Sequence, residues 1–181
     1  MSAKIRDIQG YSFGAADQLL FDANIWLRLY GPQADAKSFQ TKIYSGALKR
    51  ILTVNAVVHL DSSILSEFIN RWARLEYQTL PLAKRPADFK TYRSGPLFKP
   101  VAAAIASAAQ KIAAQCKRVE SGFGTIDISV LLNSYAAGNS DFTDLMLTQL
   151  CKQLGLKFIT HDSDFKTSDL DVLTANQTLL S

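Results

Sequence analysis

The sequence predicts an α/β fold in which a central parallel sheet is covered by helices on both faces. Short apolar segments alternate with longer segments of helical periodicity along the 181 residues, which is the order of βαβ units. The segments QLLF (18–21) and LKFIT (156–160) are short and apolar, as buried strands are. Hydrophobic residues make up 48% of the chain, enough for the core of one domain over residues 1–181.

The first part of the chain is predicted to contain two strands and three helices. The strand at 18–21 ends at Asp22 and is followed by the helix ANIWLRLY, which stops at the breaker pair Gly31-Pro32. A second helix (36–54), a β-branched strand (56–60) and a third helix (64–77) come next. The polar run 61–63 supplies N-cap residues for the third helix.

A proline-rich and basic stretch separates these elements from the rest of the chain. Residues 78–100 hold four prolines and are predicted as a loop. A long Ala-rich helix should then run to about Val119, before Gly122 and Gly124. We interpret residues 78–119 as a helical insertion. The predicted elements that follow are an extended piece (125–128), a helix (131–137), a turn (138–141), a helix (142–154), a strand (156–160) and a final edge strand (171–174).

Charge and composition narrow the class of protein. The net charge is +4 and the isoelectric point is about 9.1, and residues 84–118 carry eight basic residues and one acid. This bias fits a polyanionic partner such as RNA, with a solvated helix face as the equal alternative. Cys116 and Cys151 are expected to be reduced thiols. They lack the spacing of zinc ligands, so we do not expect a zinc site. No secretory or membrane-spanning segment is predicted, so we expect a cytoplasmic protein without membrane contact.

Four carboxylates fall where the predicted fold would gather them. Asp22 and Asp162 lie at the ends of predicted strands, and Glu67 and Asp144 lie in the first turns of predicted helices. Open α/β sheets bind ligands outside the carboxyl ends of their strands. A cluster of hard oxygen ligands there favours Mg²⁺ or Mn²⁺ over zinc. Such a site suits phosphodiester hydrolysis.

Each acid also has an ordinary structural explanation, except Asp22, which would be poorly solvated after an apolar strand. Asp141 and Asp144 suit a helix start by capping and by the helix dipole. Glu67 can pair with Arg71 one helical turn on. The outer-shell candidates for waters or a second ion are Asp141, Asp164, Asn24 and Ser63. We expect structural roles for His59, His161, Trp26 and Trp72.

Three segments resemble the motifs of PIN-domain nucleases, the family that includes the VapC-like toxins of bacterial toxin–antitoxin pairs. LLFDANIWLRLY is similar to the first motif and SSILSEFINRW to the second. SDFTDLMLTQLCKQLGLKFITHDSDF is similar to the third and fourth, and THDSDF (160–165) matches the pattern T-x-D-x-D-F. The resemblance runs from about Leu19 to Phe165.

The resemblance implies a three-layer α/β/α PIN-like fold and a metal-dependent endoribonuclease. Mg²⁺ or Mn²⁺ would be held by four acids with Asp164 or Asp141 in support; the four are Asp22, Glu67, Asp144 and Asp162. The third ligand is Asp144, Asp141 or both. RNA would be the substrate, and the residues leave DNA, or both nucleic acids, open as the alternative, because metal and carboxylates act on phosphates and do not read the sugar. From its composition, the basic middle segment with Tyr92, Arg93 and Phe98 is expected to hold the RNA backbone through phosphate contacts and stacking. A toxin role would add an antitoxin partner, and homodimers are common in the family. The alternative is a non-catalytic PIN-like module that binds RNA or protein.

Overall fold

A computed structural model describes residues 4–32, 34–138 and 140–181 of the chain. Its strands form a single sheet in which every pairing is parallel. Their order across the sheet is β1-β6-β5-β2-β3-β4, which confirms the predicted fold class. The strands are β1 (Lys4–Asp7), β2 (Gln18–Phe21), β3 (Val57–Asp61), β4 (Lys117–Val119), β5 (Lys157–Ile159) and β6 (Asp171–Thr174).

Eight helices surround the sheet in the described part of the chain. Three of them, α1, α3 and α5, pack on one another in series, and α6 packs on α7. This arrangement is that of a three-layer α/β/α fold. The helices are α1 (Ala23–Tyr30), α2 (Phe39–Thr53), α3 (Ser62–Thr79), α4 (Phe89–Ser94), α5 (Phe98–Gln115), α6 (Ile128–Ala136), α7 (Phe142–Leu154) and α8 (Gln177–Leu180). No helix of the described ranges has both the length and the apolar surface needed to span a membrane.

The core is centred on the two inner strands β2 and β5. Their side chains Leu19, Leu20, Phe21 and Phe158 have no exposed surface, because helices cover both faces of an inner parallel strand. The indole ring of Trp26, also fully buried, stacks on Phe21 with ring centroids 4.9 Å apart. Each such side chain contributes about 1.5–3 kcal/mol through its burial. The points where β2 and β5 end are therefore anchored to the buried core.

Two strands were not predicted from the sequence. The sequence KIRD of β1 has no apolar run, but its backbone pairs with β6 and Arg6 forms an ion pair with Asp171. The predicted strand 171–174 is present, yet it is not the edge of the sheet. The helix predicted to reach about Val119 ends at Gln115. The prediction was wrong there, because residues 117–119 pair with β3 as strand β4.

Other boundaries differ by a turn or less, apart from the region predicted as a proline-rich loop. That region contains the end of α3, a short 3-10 turn (Leu82–Lys84), α4 and the start of α5. Asp88 starts α4 by accepting a hydrogen bond from the Thr91 amide at 2.7 Å. Residues 123–125 form a 3-10 turn rather than an extended piece, and α6 starts at Ile128. The predicted turn at 138–141 includes Asn139, which lies outside the described residues, as do Met1–Ala3.

The aromatic side chains of the proline-rich region pack inward. Tyr92 is 1% exposed and its ring contacts the rings of Tyr77, Phe89 and Phe98. The prediction that Tyr92 offers a stacking surface to RNA is therefore wrong, because its ring is buried among these three rings. The cluster ties α4 to α3 and α5. The basic side chains Lys90 and Arg93 of the same segment are exposed.

The direction of the chain through the sheet creates a crevice between β2 and β5. From β2 the chain proceeds through β3 to β4 on one side, and from β5 it proceeds to β6 on the other. Loops that leave adjacent strands in opposite directions leave a gap at the carboxyl edge, where open α/β sheets bind ligands. The residues that follow β2 and β5 lie at that gap.

Candidate active site

Asp22 is held at the end of β2 by a network that involves two neighbouring side chains. Its Oδ1 accepts a hydrogen bond from the Asn24 amide at 3.2 Å, which caps α1. Its Oδ2 accepts from Asn24 Nδ2 at 2.6 Å and from Thr160 Oγ1 at 2.6 Å. Only 6% of Asp22 is exposed. The carboxylate is thus fixed in orientation by residues from β2, α1 and the end of β5.

The loop after β5 brings a second acid to the same place. The hydroxyl oxygen of Thr160 accepts a hydrogen bond from the Asp162 amide at 3.0 Å. Asp162 in turn caps a 3-10 turn by accepting from the Asp164 amide at 3.1 Å. Thr160 therefore links the buried Asp22 to the backbone that carries Asp162. Both acids follow a strand end, as predicted.

Glu67 reaches the crevice from the second turn of α3. This helix starts at Ser62, directly after β3, because the side chain of Asp61 caps it. The Glu67 carboxylate forms an ion pair with Arg71 one turn later, with Oε1 2.9 Å from the guanidinium. Glu67 is about one-third exposed and Arg71 about one-half. The predicted pairing with Arg71 is present, and both side chains still line the crevice.

Asp144 lies in the first turn of α7, a helix that precedes β5. Because α7 runs antiparallel to the strands, its N-terminus lies at their carboxyl edge. Asp141 caps the helix by accepting a hydrogen bond from the Asp144 amide at 2.9 Å. One Asp141 oxygen is therefore occupied by capping, whereas Asp144 contributes only its backbone N–H to that cap. Both residues line the crevice.

The carboxylates meet in one open cleft of about 380 Å³. All six predicted site residues line it, together with the outer-shell candidates Asn24 and Ser63. Arg71 is the one basic residue among the described side chains that line the cleft. The acids are Asp22, Glu67, Asp141, Asp144, Asp162 and Asp164.

The crowding of acids raises two carboxyl pKa values. Burial, with the nearby charge of Glu67 and Asp162, raises the pKa of Asp22 to about 6, although the Thr160 hydrogen bond opposes the shift. Burial and the charge of Asp141 raise the pKa of Asp144 to about 7, and the other acids of the cleft add to that. Like charges that share a low-dielectric cleft disfavour each other's ionised form. The cleft therefore has a strong negative potential that a cation would neutralise.

The donor set fits a hard divalent cation. Every candidate ligand is an oxygen atom, which suits Mg²⁺ or Mn²⁺. Cys116 and Cys151 take no part in the cleft, and burial raises the pKa of both thiols to about 12. In the part of the chain that the structure describes, no group of three or more His, Cys, Asp or Glu side chains is already arranged to hold an ion. Metal binding would thus require side chains such as Glu67 to turn inward.

A family model described as PIN domain matches residues 19–169. The chain belongs to the PIN domain family. PIN domains are generally nucleases. A search of curated proteins finds no match. The matched range contains all six cleft acids, while β1 and β6 of this PIN domain lie outside it.

The sequence did not identify two residues, Thr160 and His161, as supports of the site of this PIN domain. Thr160 was recognised only as part of the pattern THDSDF, yet its hydroxyl joins Asp22 to Asp162. His161 was expected to have a loop role. Its Nδ1 lies 2.8 Å from the hydroxyl of Tyr44, and its amide donates to Asn24 Oδ1 at 3.3 Å. The signal that could have found both is their position directly after a buried strand.

Proposed function

We propose that this PIN domain is an Mg²⁺- or Mn²⁺-dependent endoribonuclease that hydrolyses RNA phosphodiester bonds. The observation that carries the proposal is the meeting of Asp22, Glu67, Asp144 and Asp162 in one cleft at the switch point of the sheet. The raised pKa values of Asp22 and Asp144 add support, because they indicate carboxylates that lack a neutralising charge. PIN nucleases typically bind RNA, which favours RNA as the substrate.

The four acids would hold the ion, with Asp164 or Asp141 in support through water. A divalent ion in such a site lowers the pKa of a bound water and stabilises the charge on the scissile phosphate. Asn24 and Thr160 fix the orientation of Asp22, so this ligand needs no rearrangement. Asp162 is fixed through its backbone by Thr160. Glu67 and Asp144 complete the set from the two flanking helices.

Arg71 would contact the substrate phosphate. Its guanidinium lies in the cleft and is paired with Glu67 at 2.9 Å. When Glu67 turns toward a cation, Arg71 loses its partner inside an acidic cleft. A phosphate oxygen is then the natural replacement, because guanidinium groups bind phosphates through paired hydrogen bonds. Exposed Lys90 and Arg93 would add contacts to the RNA backbone farther away.

The experiment is cleavage of a set of single-stranded RNAs with Mg²⁺ or Mn²⁺ and with EDTA. The variants are Asp22→Asn, Glu67→Gln and Asp162→Asn. The control is Asp169→Asn, which removes an acid that pairs with Lys152 outside the cleft. We expect cleavage by the parent and the control only, and only with metal. Cleavage by Asp22→Asn as fast as by the parent would contradict the proposal and favour a non-catalytic module that binds RNA or protein.

A protein partner is the second part of the proposal. The short helix α6 leaves Val130, Leu132 and Tyr135 half or more exposed. Val130 and Leu132 lie on either side of the buried Leu131, so α6 offers exposed apolar area on both flanks for a protein partner to cover. An antitoxin would cover this surface if the protein is a toxin, and a second copy would cover it in a homodimer. Growth arrest on expression, relieved by the product of a neighbouring gene, would support the toxin role. Normal growth would contradict it.

A further inference from the structure

A second pocket adjoins the carboxylate cleft. Its volume is about 270 Å³ and its walls are largely apolar, formed by Phe123, Phe142, Met146, Leu147 and Leu150. Ser63 and Thr143 line both the pocket and the cleft. A group bound in the pocket would therefore be a direct neighbour of a group bound in the cleft. The pocket is smaller than the roughly 300–1,000 Å³ of typical drug-sized sites, which suits one flat ring system.

One polar residue, Asp61, lines this pocket and has unused hydrogen-bonding capacity. It is 1% exposed and lies at the end of β3. Its Oδ1 accepts hydrogen bonds from the Ser63 amide at 2.7 Å and from the Ser63 hydroxyl. Its Oδ2 is buried and has no partner among the described residues. Capping of α3 thus accounts for the burial of Oδ1, which accepts hydrogen bonds, but does not account for the burial of Oδ2, which accepts none among the described residues.

An unsatisfied buried carboxylate oxygen is costly, and proteins keep few of them. Oδ2 is buried behind the pocket wall, so a ligand that brings an N–H group into the pocket would satisfy it after a small rotation of the Asp61 carboxylate. The pocket also offers an aromatic face, because Phe123 is 56% exposed despite its size. An exposed ring, an apolar wall and a buried acceptor are together the features with which proteins bind single nucleobases.

We infer that this pocket binds one nucleobase next to the scissile phosphate, stacked on Phe123 and hydrogen-bonded to Asp61 Oδ2. The inference rests on the proposed nuclease function, because the phosphate of the same strand would lie in the adjoining cleft. It makes Asp61 a residue that determines sequence preference rather than a metal ligand.

The chemistry of the acceptor predicts which bases fit. Adenine, cytosine and guanine each present an exocyclic amino group that donates to a carboxylate oxygen. Uracil presents only its ring N–H, which lies between two carbonyl oxygens that would face the Asp61 charge. A hydrogen bond that one base forms and another does not distinguishes the two bases by about fivefold or more. At one position beside the cleavage point, an amino-bearing base should therefore be preferred over uracil.

The test uses short single-stranded RNAs that differ only in the base at one position near the mapped cleavage point. Cleavage rates with Mn²⁺ and dissociation constants in metal-free buffer are both measured. The variants are Asp61→Asn and Phe123→Ala. The control is Phe39→Ala, because Phe39 is an exposed phenylalanine like Phe123 but lines neither the pocket nor the cleft.

We expect the parent and Phe39→Ala to prefer an amino-bearing base by about fivefold or more at one position. Asp61→Asn should bring that ratio close to one, because a neutral amide can donate to a uracil carbonyl. Phe123→Ala should weaken binding of all four bases at that position. An unchanged ratio in Asp61→Asn, or a parent without preference, would overturn the inference.

The two measurements separate the inference from the proposed function. Without cleavage by the parent in either metal, the nuclease proposal fails, and the ratio of dissociation constants still tests the pocket. If cleavage occurs but neither variant alters the base preference, the pocket inference alone fails. Melting temperatures identify a variant that does not fold. If Asp61→Asn is such a variant, Phe123→Ala decides the outcome.

Discussion

The two ends of β2 carry buried aspartates in opposite electrostatic situations. Asp17 precedes the strand and Asp22 follows it, and they are 9% and 6% exposed. Asp17 has a cation, since Lys157 at the start of β5 lies 2.8 Å from its Oδ1, and the Gly14 amide and Tyr11 hydroxyl also donate to it. Asp22 has hydrogen bonds but faces other acids.

The pKa values of the two aspartates move in opposite directions. Burial alone would raise the pKa of Asp17, but the hydrogen bond and charge of Lys157 and the other donors outweigh it and lower the value. Burial and neighbouring acids raise the pKa of Asp22 to about 6. Burial alone therefore does not distinguish a structural acid from a functional one. The distinction lies in whether the fold supplies a compensating charge.

The largest expected difference between the two ends is in cleavage. Asp22→Asn should lower the rate of RNA cleavage about 100-fold or more, because it removes a prearranged metal ligand. Asp17→Asn should change the rate only a few-fold, since Asp17 lies at the opposite edge of the sheet. Single-turnover rates at saturating Mn²⁺ measure both. Equal losses in the two variants would contradict the division of roles.

The next largest effect is on stability. Here the variant at the Asp17 end of β2 should show the greater loss, and the variant at the Asp22 end the smaller one. Lys157→Met leaves Asp17 buried without its cation and should lower the free energy of unfolding by about 1–3 kcal/mol. Asp22→Asn should destabilise the metal-free protein less than Lys157→Met does, because removing a charge that other acids repel offsets the loss of the hydrogen bonds that Oδ2 accepts from Asn24 and Thr160. Urea unfolding without metal measures both values. A Lys157→Met variant as stable as the parent would show that the pair at the amino edge is dispensable.

The pH dependence of metal-free stability should have opposite signs at the two ends. The raised pKa of Asp144, about 7, means that the folded state binds its proton more tightly than the unfolded state. The associated stability is complete below the unfolded pKa near 4 and is lost as the pH rises through 7. The lowered pKa of Asp17 has the reverse effect, and its contribution is lost as the pH falls below 4.

Melting temperatures between pH 5 and pH 8 without metal test this prediction. The parent should become less stable over that window, and Asp144→Asn should show a shallower fall. A parent curve that is flat between these values, or one that Asp144→Asn leaves unaltered, would contradict the account of the cleft.

The strands and site acids that could be predicted from the sequence are those marked by a pattern of neighbouring residues. Asp22 and Asp162 could be placed because the apolar runs before them mark buried strands, and buried strands end at a common edge. Strand β1 could not, because KIRD has no apolar run and its pairing partner lies more than 160 residues later. Strand β4 is three residues long and begins with two basic ones.

The pocket beside the cleft was equally hidden from sequence reasoning. Asp61 was recognised as a capping residue, which accounts for one of its oxygens. Its unused oxygen became visible only with the fold, because Phe123 and Phe142 reach the pocket from a distant part of the chain. Similarly, the aromatic residue Tyr92 looked like a stacking surface until its burial was known.

The smallest expected effect distinguishes the two acids at the start of α7, Asp141 and Asp144. Asp141→Ala removes the helix cap and should lower the free energy of unfolding by about 1 kcal/mol, with a loss of cleavage much smaller than that of Asp144→Ala. Asp144→Ala should abolish cleavage while keeping the cap. Parallel unfolding and cleavage measurements on the two variants assign the third ligand. The reverse pattern would give the ligand role to Asp141.

The most direct test of the central claim is a titration of the metal-free protein with Mn²⁺, monitored by isothermal titration calorimetry. The account predicts saturable binding at the carboxyl edge for the parent and for Asp17→Asn, with a rise in melting temperature on saturation. It predicts loss of both signals in Asp22→Asn and Asp144→Asn. Undiminished Mn²⁺ binding in those two variants, or no binding by the parent, would contradict the claim that the clustered acids form a metal site.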